Sequence, residues 1–406
     1  MAVASSVPDP DEQAPDTTSR TRVIARFRPL TTQEARQRCI CYLAADSVQY
    51  VDQDASSNSG SGAANLFSFD QVLDEQTSQQ EVFSCVAPIV QSVLQGYNGT
   101  ILAYGQTGSG KTHTLLGDIS NPVDKGIVPR AVSELARGIA ATKAACSFSV
   151  TLSVVEIYCE KIRDLLDTDN DNLAVVTDRA RGIIVSRATE LPVQNEQELV
   201  QHMQRGISNR TIAATAMNAG SSRSHCIVYL MVEKVYEEDG RVEHGKLCLV
   251  DLAGSERQDK TGAEGQTFDE GKQINKSLSA LGNVVNTLTD GRKGAYIPYR
   301  DSKLTRVLQD SLGGTAKTAL IICCSPSQDN GFETLSSLRF GTRAKGIAHT
   351  LQVNAPKRSV AEELTRALAA SKAECTQLRG LISLLQMHVP PEALCFALYI
   401  ILDTNT

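Results

Sequence analysis

Apolar positions along this chain follow two alternating rhythms. Short apolar runs bounded by Gly, Pro or polar clusters predict strands at residues 22–27 (RVIARF), 66–73 (LFSFDQVL), 100–104 (TILAY), 147–158 (SFSVTLSVVEIY), 227–232, 246–251 (KLCLVD) and 319–324 (ALIICC). Between them, apolar residues recur at helical spacing. Residues 81–94 predict a helix kinked by Pro88, residues 131–141 one that tolerates Gly138, and residues 196–205 one with Leu199, Val200 and Met203 on its apolar side. The longest pattern, 269–288, repeats Ile274, Leu278, Leu281, Val284, Val285 and Leu288, and a further helix is predicted at 333–347. Strands alternating with helices predict an α/β fold with helices packed on a sheet.

The ends break this pattern. Residues 1–20, rich in Pro, Asp, Ser and Thr, predict a disordered acidic tail without the basic start and apolar centre of a signal peptide. Residues 51–64 are a low-complexity surface loop. The compact pattern occupies 21–349. Residues 350–359, with Pro356, predict an extended linker. Over 360–387 a 4-3 repeat (Ala361, Leu364, Leu368, Ser371, Cys375, Leu378, Ile382, Leu385) fits either the start of a coiled coil or a single amphipathic helix. Residues 388–406 include ALCFALYIIL, which is too short to span a membrane, and they take no assignment.

Composition narrows the class. Hydrophobic content of 41% and charged content of 21% suit a soluble globular protein. A net charge of −6 argues against a nucleic-acid partner. Eleven scattered cysteines, without C-x-x-C or His/Cys ligand spacing, predict reduced thiols in a cytoplasmic setting.

The candidate chemistry centres on GQTGSGKT, residues 105–112, which fits the phosphate-loop pattern: Gly105, Gln106, Thr107, Gly108, Ser109, Gly110, Lys111 and Thr112. Glycines bring backbone N–H groups to a polyphosphate, Lys111 supplies a cation for its terminal phosphates, and Thr112 supplies a hydroxyl for Mg²⁺. The strand before it and the helix expected after it are the context such a loop needs. NAGSSRSH, residues 218–225, is either an ordinary polar loop or a source of hydroxyls for a Mg²⁺ shell and of Arg223 for an acidic partner. DLAGSE, residues 251–256, places Asp251 at the end of a strand, where nucleotide hydrolases hold the Mg²⁺ shell, with Gly254 three residues on. RFRP, residues 26–29, reads on its own as a strand end. The basic run in residues 291–308 (Arg292, Lys293, Arg300, Lys303, Arg306) is either a solvated face or a docking patch for an acidic partner.

GQTGSGKT, NAGSSRSH, DLAGSE and YIPYRDSKLT stand in this order, with RFRP, FSFDQVL, VEIYCEKIRDLL, TGAEG…INKSLSALGNVV, LQDSLGG and LRFGTRAK around them. The set resembles the kinesin motor domain over about residues 20–354, and looks most like conventional kinesin heavy chain. The resemblance implies a P-loop NTPase fold with a central mixed sheet of about eight strands flanked by helices on both faces. It implies an ATPase that uses Mg²⁺ and couples hydrolysis to movement on microtubules, plus-end directed. Arg26, Arg28, Pro29 and His113 would hold the adenine. Asn218, Ser221 and Ser222 would belong to switch I, with Ser221 and Ser222 near Mg²⁺ and the attacking water. Gly254 would sense the γ-phosphate, Asp251 would hold Mg²⁺ through water, and Arg223 with Glu256 would form the ion pair that closes the site. Lys276 and the five basic residues of 291–308 would face the microtubule, residues 350–359 would be the neck linker, and the heptads would support a homodimer. The chain departs from the family at His349, where the conventional family tends to have Asn, and at Pro356, Lys357 and Arg358. These departures bear on linker docking. Two other readings stand beside the motor: a nucleotide-binding microtubule tether that does not walk, and an unrelated phosphate-loop NTPase such as a GTPase. The chain lacks the N-K-x-D guanine motif the last would need.

Overall fold

A computed structural model describes residues 18–34, 37–51, 65–142, 146–178, 181–216, 221–238, 240–256, 266–292, 294–354, 365, 368–369, 371–380 and 383. The chain divides into two units, Met1–Lys234 with Glu243–Ala355, and Val235–Val242 with Pro356–Thr406.

The first unit opens with β1 (Thr18–Arg20) and β2 (Arg22–Phe27), followed by an antiparallel side sheet of β3 (Ile40–Ala44), β4 (Ser47–Tyr50) and β5 (Asn65–Ser68). β6 (Gln71–Leu73) returns beside β2. The single strand expected at 66–73 is therefore two strands in two sheets. The chain is turned between them by long-range bonds: the Phe69 N–H donates to Asp46 O at 2.8 Å, and the Asp70 carboxylate accepts the Val23 N–H at 2.7 Å. Next come α1 (Gln79–Val93), β7 (Gly99–Tyr104), α2 (Lys111–Leu115), α3 (Ile127–Thr142), β8 (Cys146–Tyr158), β9 (Lys161–Asp164), β10 (Val175–Asp178), β11 (Gly182–Val185), β12 (Leu191–Pro192), α4 (Glu196–Ala216), β13 (His225–Tyr236) and β14 (Val242–Asp251). The order closes with α5 (Gln266–Thr289), α6 (Lys303–Val307), β15 (Lys317–Cys324), α7 (Gly331–Ala344) and β16 (Ala348–Thr350). α1 starts at a capping box between Ser78 and Glu81 and runs through Pro88 without ending there.

The main sheet runs β12-β8-β13-β14-β7-β15-β2-β6, with β9 added to β8. It is mixed: β12 and β9 are antiparallel to β8, while β14, β7, β15, β2 and β6 are parallel neighbours. Alternation along these strands builds two cores. Val23, Phe27, Leu102 and Ile322 pack with Val284 of α5, Leu304 of α6 and Leu338 of α7. Ile24, Ile101 and Ile321 pack on the other face with Val86 of α1, Leu135 of α3 and Leu199 of α4. Each such buried side chain is worth roughly 1.5–3 kcal/mol. Among the described residues no helix is long and apolar enough to cross a membrane.

The parallel strands deliver their carboxyl ends to one edge, where open α/β sheets bind ligands. β7 ends there at the Gly105 loop, β14 at Asp251 in register with Ala103, β2 at Arg28 and β15 at Ser325.

Residues 18–20, expected to belong to a disordered tail, form β1 because 348–350 offers them an edge. His349 is buried there, its Nε2 2.7 Å from the Thr21 hydroxyl. Beyond β16 the linker lies along the first unit: Asn354 donates from its backbone to Gly96 O at 2.9 Å, and from Nδ2 to Asn98 Oδ1 at 2.9 Å and His244 O at 2.7 Å. Residues 1–17, the loop 52–64, linker residues 355–359 and the segment 388–406 lie outside the described residues.

In the second unit, Tyr236 accepts from the Gly240 N–H and donates to Arg241 O in a tight turn. Residues 371–380 are helical and exposed, with Leu378 at 52% exposure. Of the heptad positions, Ala361, Leu364, Ile382 and Leu385 lie outside the described residues.

Candidate functional site

The loop 105–112 leaves β7 between β14 and β15. Gly105 is required by close approach: a Cβ there would stand 2.1 Å from Cys323 O. Lys111 is buried, its ammonium donating to Gly105 O and Gln106 O at 2.9 Å each, so burial lowers its pKa. α2 begins at Lys111 but ends at Leu115, so the helix dipole expected behind the loop is that of a short turn.

Asp251 faces the loop from the end of β14. The Thr112 hydroxyl donates to its Oδ2 at 2.7 Å, and Arg210 Nη1 reaches the same oxygen at 3.2 Å. Asp251 Oδ1 and Ser109 Oγ are buried without a hydrogen-bond partner. Hydroxyl and carboxylate oxygens with spare lone pairs suit Mg²⁺, which keeps waters and phosphate oxygens around few protein ligands. The residues present fit a Mg²⁺-nucleotide.

The two flanking loops are bonded to each other and to the phosphate loop. The Gly254 N–H donates to Ser222 O at 2.9 Å, and the Ser255 N–H donates to Gly105 O at 3.1 Å. The Glu256 carboxylate accepts the Thr107 N–H at 2.8 Å and also the Thr107 hydroxyl. Ser222 and Arg223 are half-buried in a 3-10 turn. Asn218 lies outside the described residues, and of Ser221 only the backbone is described. His225 is buried behind this turn: Nδ1 accepts the Ala253 N–H at 2.9 Å, which leaves Nε2 to donate to Ser277 Oγ of α5 at 2.8 Å. Burial, with Arg210 and Lys111 nearby, depresses its pKa to about 3 and keeps it neutral.

A cleft of about 150 Å³ continues from the loop, lined by Arg26, Arg28, Pro29, Gln79 and His113 among others. Arg26 is not presented as a free guanidinium. It is 9% exposed and donates to Gln79 Oε1 at 3.0 Å and Thr114 Oγ1 at 2.8 Å, so it braces the wall from behind. Arg28 lies nearer the surface, its Nε donating to Gly108 O at 2.6 Å. Burial, and then the charge of Arg26, lower the pKa of His113, which favours the neutral ring.

The basic candidates sit on and after α5. Lys276, Arg292 and Arg300 are exposed, Arg292 beside Asp290 at 3.1 Å. Lys303 and Arg306 are half-buried: the Lys303 N–H donates to Glu160 at 2.7 Å, and Arg306 reaches Gln309 and, at 3.0 Å, Thr177. Lys293 lies outside the described residues.

Sequence reasoning missed Arg210. Its helix was expected to end at 205 but runs to Ala216, and it carries the arginine to Asp251, to Glu156 at 3.6 Å and to Ser224 O at 3.0 Å. Glu34 and Asn330, which flank Arg28 and Gln106, were missed as well.

The Kinesin motor domain family matches residues 26–347. Kinesin-related protein 3 of Dictyostelium discoideum is 46% identical over 91% of this chain and 31% of its own length, so the chain spans about a third of that relative. Kinesin-like protein KIN-1 of Oryza sativa subsp. japonica is 46% identical over 84% of this chain and 71% of its own length. A solved structure of a fast kinesin, described for its ATPase mechanism and its interactions with microtubules, is 46% identical with a TM-score of 0.77, covering 84% of this chain and 96% of that one.

Proposed function

Because the chain belongs to the kinesin motor domain family, we propose that it is an ATP-driven microtubule motor that uses Mg²⁺. The observation that carries the proposal is the bonding of three loops at one sheet edge: Gly254 to Ser222, Ser255 to Gly105, and Glu256 to Thr107. A change at one loop is thereby felt at the other two.

Each residue's part follows from its place. Lys111, already sharing backbone carbonyls of the loop, would meet the terminal phosphates. Thr112, Ser222 and, through water, Asp251 would hold the metal, and Arg210, bonded to Asp251 Oδ2, would keep that carboxylate aimed. Mg²⁺, when bound, supplies charge neutralisation on the phosphate oxygens. Arg28, Pro29 and His113 would face the base. Ser222 would orient the attacking water, Gly254 would report the γ-phosphate, and Arg223 with Glu256 would close the site. The His225 bridge between Ala253 and Ser277 gives loop movement a rigid handle on α5. α5 carries Lys276 toward the basic surface, which suits an acidic tubulin partner. That attraction should weaken with salt, since the Debye length is about 8 Å at physiological ionic strength. The segment after β16 would act as the linker of a plus-end-directed motor in the cytoplasm, and a homodimer would form through the heptads.

The test is steady-state ATP hydrolysis with and without stabilised microtubules, repeated with Lys111→Ala. Stimulation that Lys111→Ala abolishes is expected. Microtubule binding without stimulated turnover would favour a tether, and single-molecule tracks of a dimerised chain would then show diffusion without direction.

A further inference from the structure

Glu34 follows β2 by seven residues and takes no part in the roles above. Its side chain is only 10% exposed, and donors from three places converge on it. Arg28 approaches bidentately, Nη1 to Oε2 at 2.7 Å and Nη2 to Oε1. The Thr31 N–H and hydroxyl donate to Oε2 at 2.8 and 3.1 Å. The Ser325 hydroxyl and Asn330 Nδ2 donate to Oε1 at 2.9 and 2.8 Å. These donors, Arg28 foremost, depress the pKa to about 2, so the carboxylate is ionised at any physiological pH.

The same partners close a circuit through the phosphate loop. Arg28 Nε donates to Gly108 O at 2.6 Å, and Gln106 Nε2 donates to Asn330 Oδ1 at 2.6 Å. One path thus leaves the loop at Gly108 through Arg28 and Glu34, and returns at Gln106 through Asn330. Asn330 immediately precedes α7, which leads to β16. An arginine on a cleft wall has many rotamers to lose when a ligand arrives, and a bidentate carboxylate removes that freedom beforehand.

We propose that Glu34 is a positioning residue of the nucleotide site: it holds Arg28 in the cleft wall and ties the phosphate loop to the start of α7. This rests on the nucleotide reading of the cleft. A purely structural ion pair would stabilise the fold without favouring the nucleotide-bound form, and the two differ in what they do to binding.

The experiment uses the full chain. A fluorescent ADP analogue is titrated into wild type, Glu34→Ala, Glu34→Gln, Arg28→Ala and the Arg28→Ala/Glu34→Ala double variant. KM and kcat for ATP, and thermal unfolding, are measured alongside. Glu34→Ala is expected to weaken ADP binding and raise KM about tenfold, with a smaller change in kcat. Glu34→Gln, which keeps the length and one acceptor, should fall between. The double variant should bind no worse than Arg28→Ala alone, because the two act as one unit. Should Glu34→Ala not fold, Glu34→Gln carries the same comparison. A change in affinity under about twofold, or fully additive single effects, would overturn the inference while leaving the nucleotide site standing. A wild-type chain that binds no ADP would overturn the nucleotide reading and this inference with it.

Discussion

Gly254→Ala separates folding from hydrolysis. A Cβ at this position would stand 2.3 and 2.5 Å from the two Glu256 carboxylate oxygens and 2.4 Å from the Thr107 hydroxyl. Ordinary contact lies near 3.5 Å, so each atom must retreat by about 1 Å. All three are ends of flexible side chains, so the backbone can stay while Glu256 is driven off Thr107. The fold then loses the bonds from the Thr107 N–H and hydroxyl. At this exposed edge their net worth is about 1 kcal/mol, a melting shift of roughly 2–4 °C. The effect on turnover should be much larger. With the backbone in place the Gly254 N–H still meets Ser222 O, but Glu256 is driven from the position in which it would close the site with Arg223, and losing one such preorganised group costs roughly 10²–10³ in rate. Microtubule-stimulated ATP hydrolysis is therefore expected to fall about a hundredfold, with ADP affinity and the melting curve little changed. Near-wild-type turnover would refute the assignment of 251–256 as the loop that reads the terminal phosphate. Gross unfolding would show that the added methyl meets something more rigid than two side-chain ends.

Acid should destabilise the chain through its buried histidines. Burial depresses His225 to about 3 and His349 to about 4, whereas the unfolded chain protonates both near 6.5. Their contribution is complete above pH 6.5 and is lost as pH falls towards those values, at about 1.4 kcal/mol per pH unit for each. In urea unfolding, His349→Asn should flatten the loss between about pH 6 and pH 5 by one such increment, and an unchanged slope would remove His349 from the account. Lys246 is buried, donating to Ile183 O at 2.7 Å and Arg181 O at 3.0 Å, with Asp310 at 3.4 Å, so Lys246→Met should cost roughly 3–5 kcal/mol in denaturant unfolding. A cost below about 1 kcal/mol would mean that Asp310 finds water. Asn354→Ala removes both side-chain bonds that anchor the linker, and should slow microtubule gliding more than it slows ATP turnover. Equal slowing of both would place Asn354 in the hydrolytic cycle instead.

What the sequence disclosed and what it withheld divide along a physical line. Gly105–Thr112 and Asp251–Glu256 were legible because a phosphate loop must bend within a few residues, and because an acid at a strand end is a local pattern. Periodicity likewise located β7, β14, β15 and α5, whose buried faces repeat every two or between three and four residues. It failed where a partner far along the chain decides. Residues 66–73 alternate as one strand should, yet Asp46 and Val23 break them between two sheets. Thr18–Arg20 look like tail until 348–350 gives them an edge. Arg210 follows Gly206 and Asn209, where the apolar rhythm fades, and only the fold brings it to Asp251. Glu34 lies in a polar stretch with no pattern, and its partners Ser325 and Asn330 are almost three hundred residues away. Groups that would touch the nucleotide are written in short strings, because turns and strand ends are short. Groups that would hold them in place are chosen by packing. Arg28 shows both at once: it was found as part of RFRP, but its orientation depends on Glu34, so the strength of the cleft is set by a residue that no local string identifies.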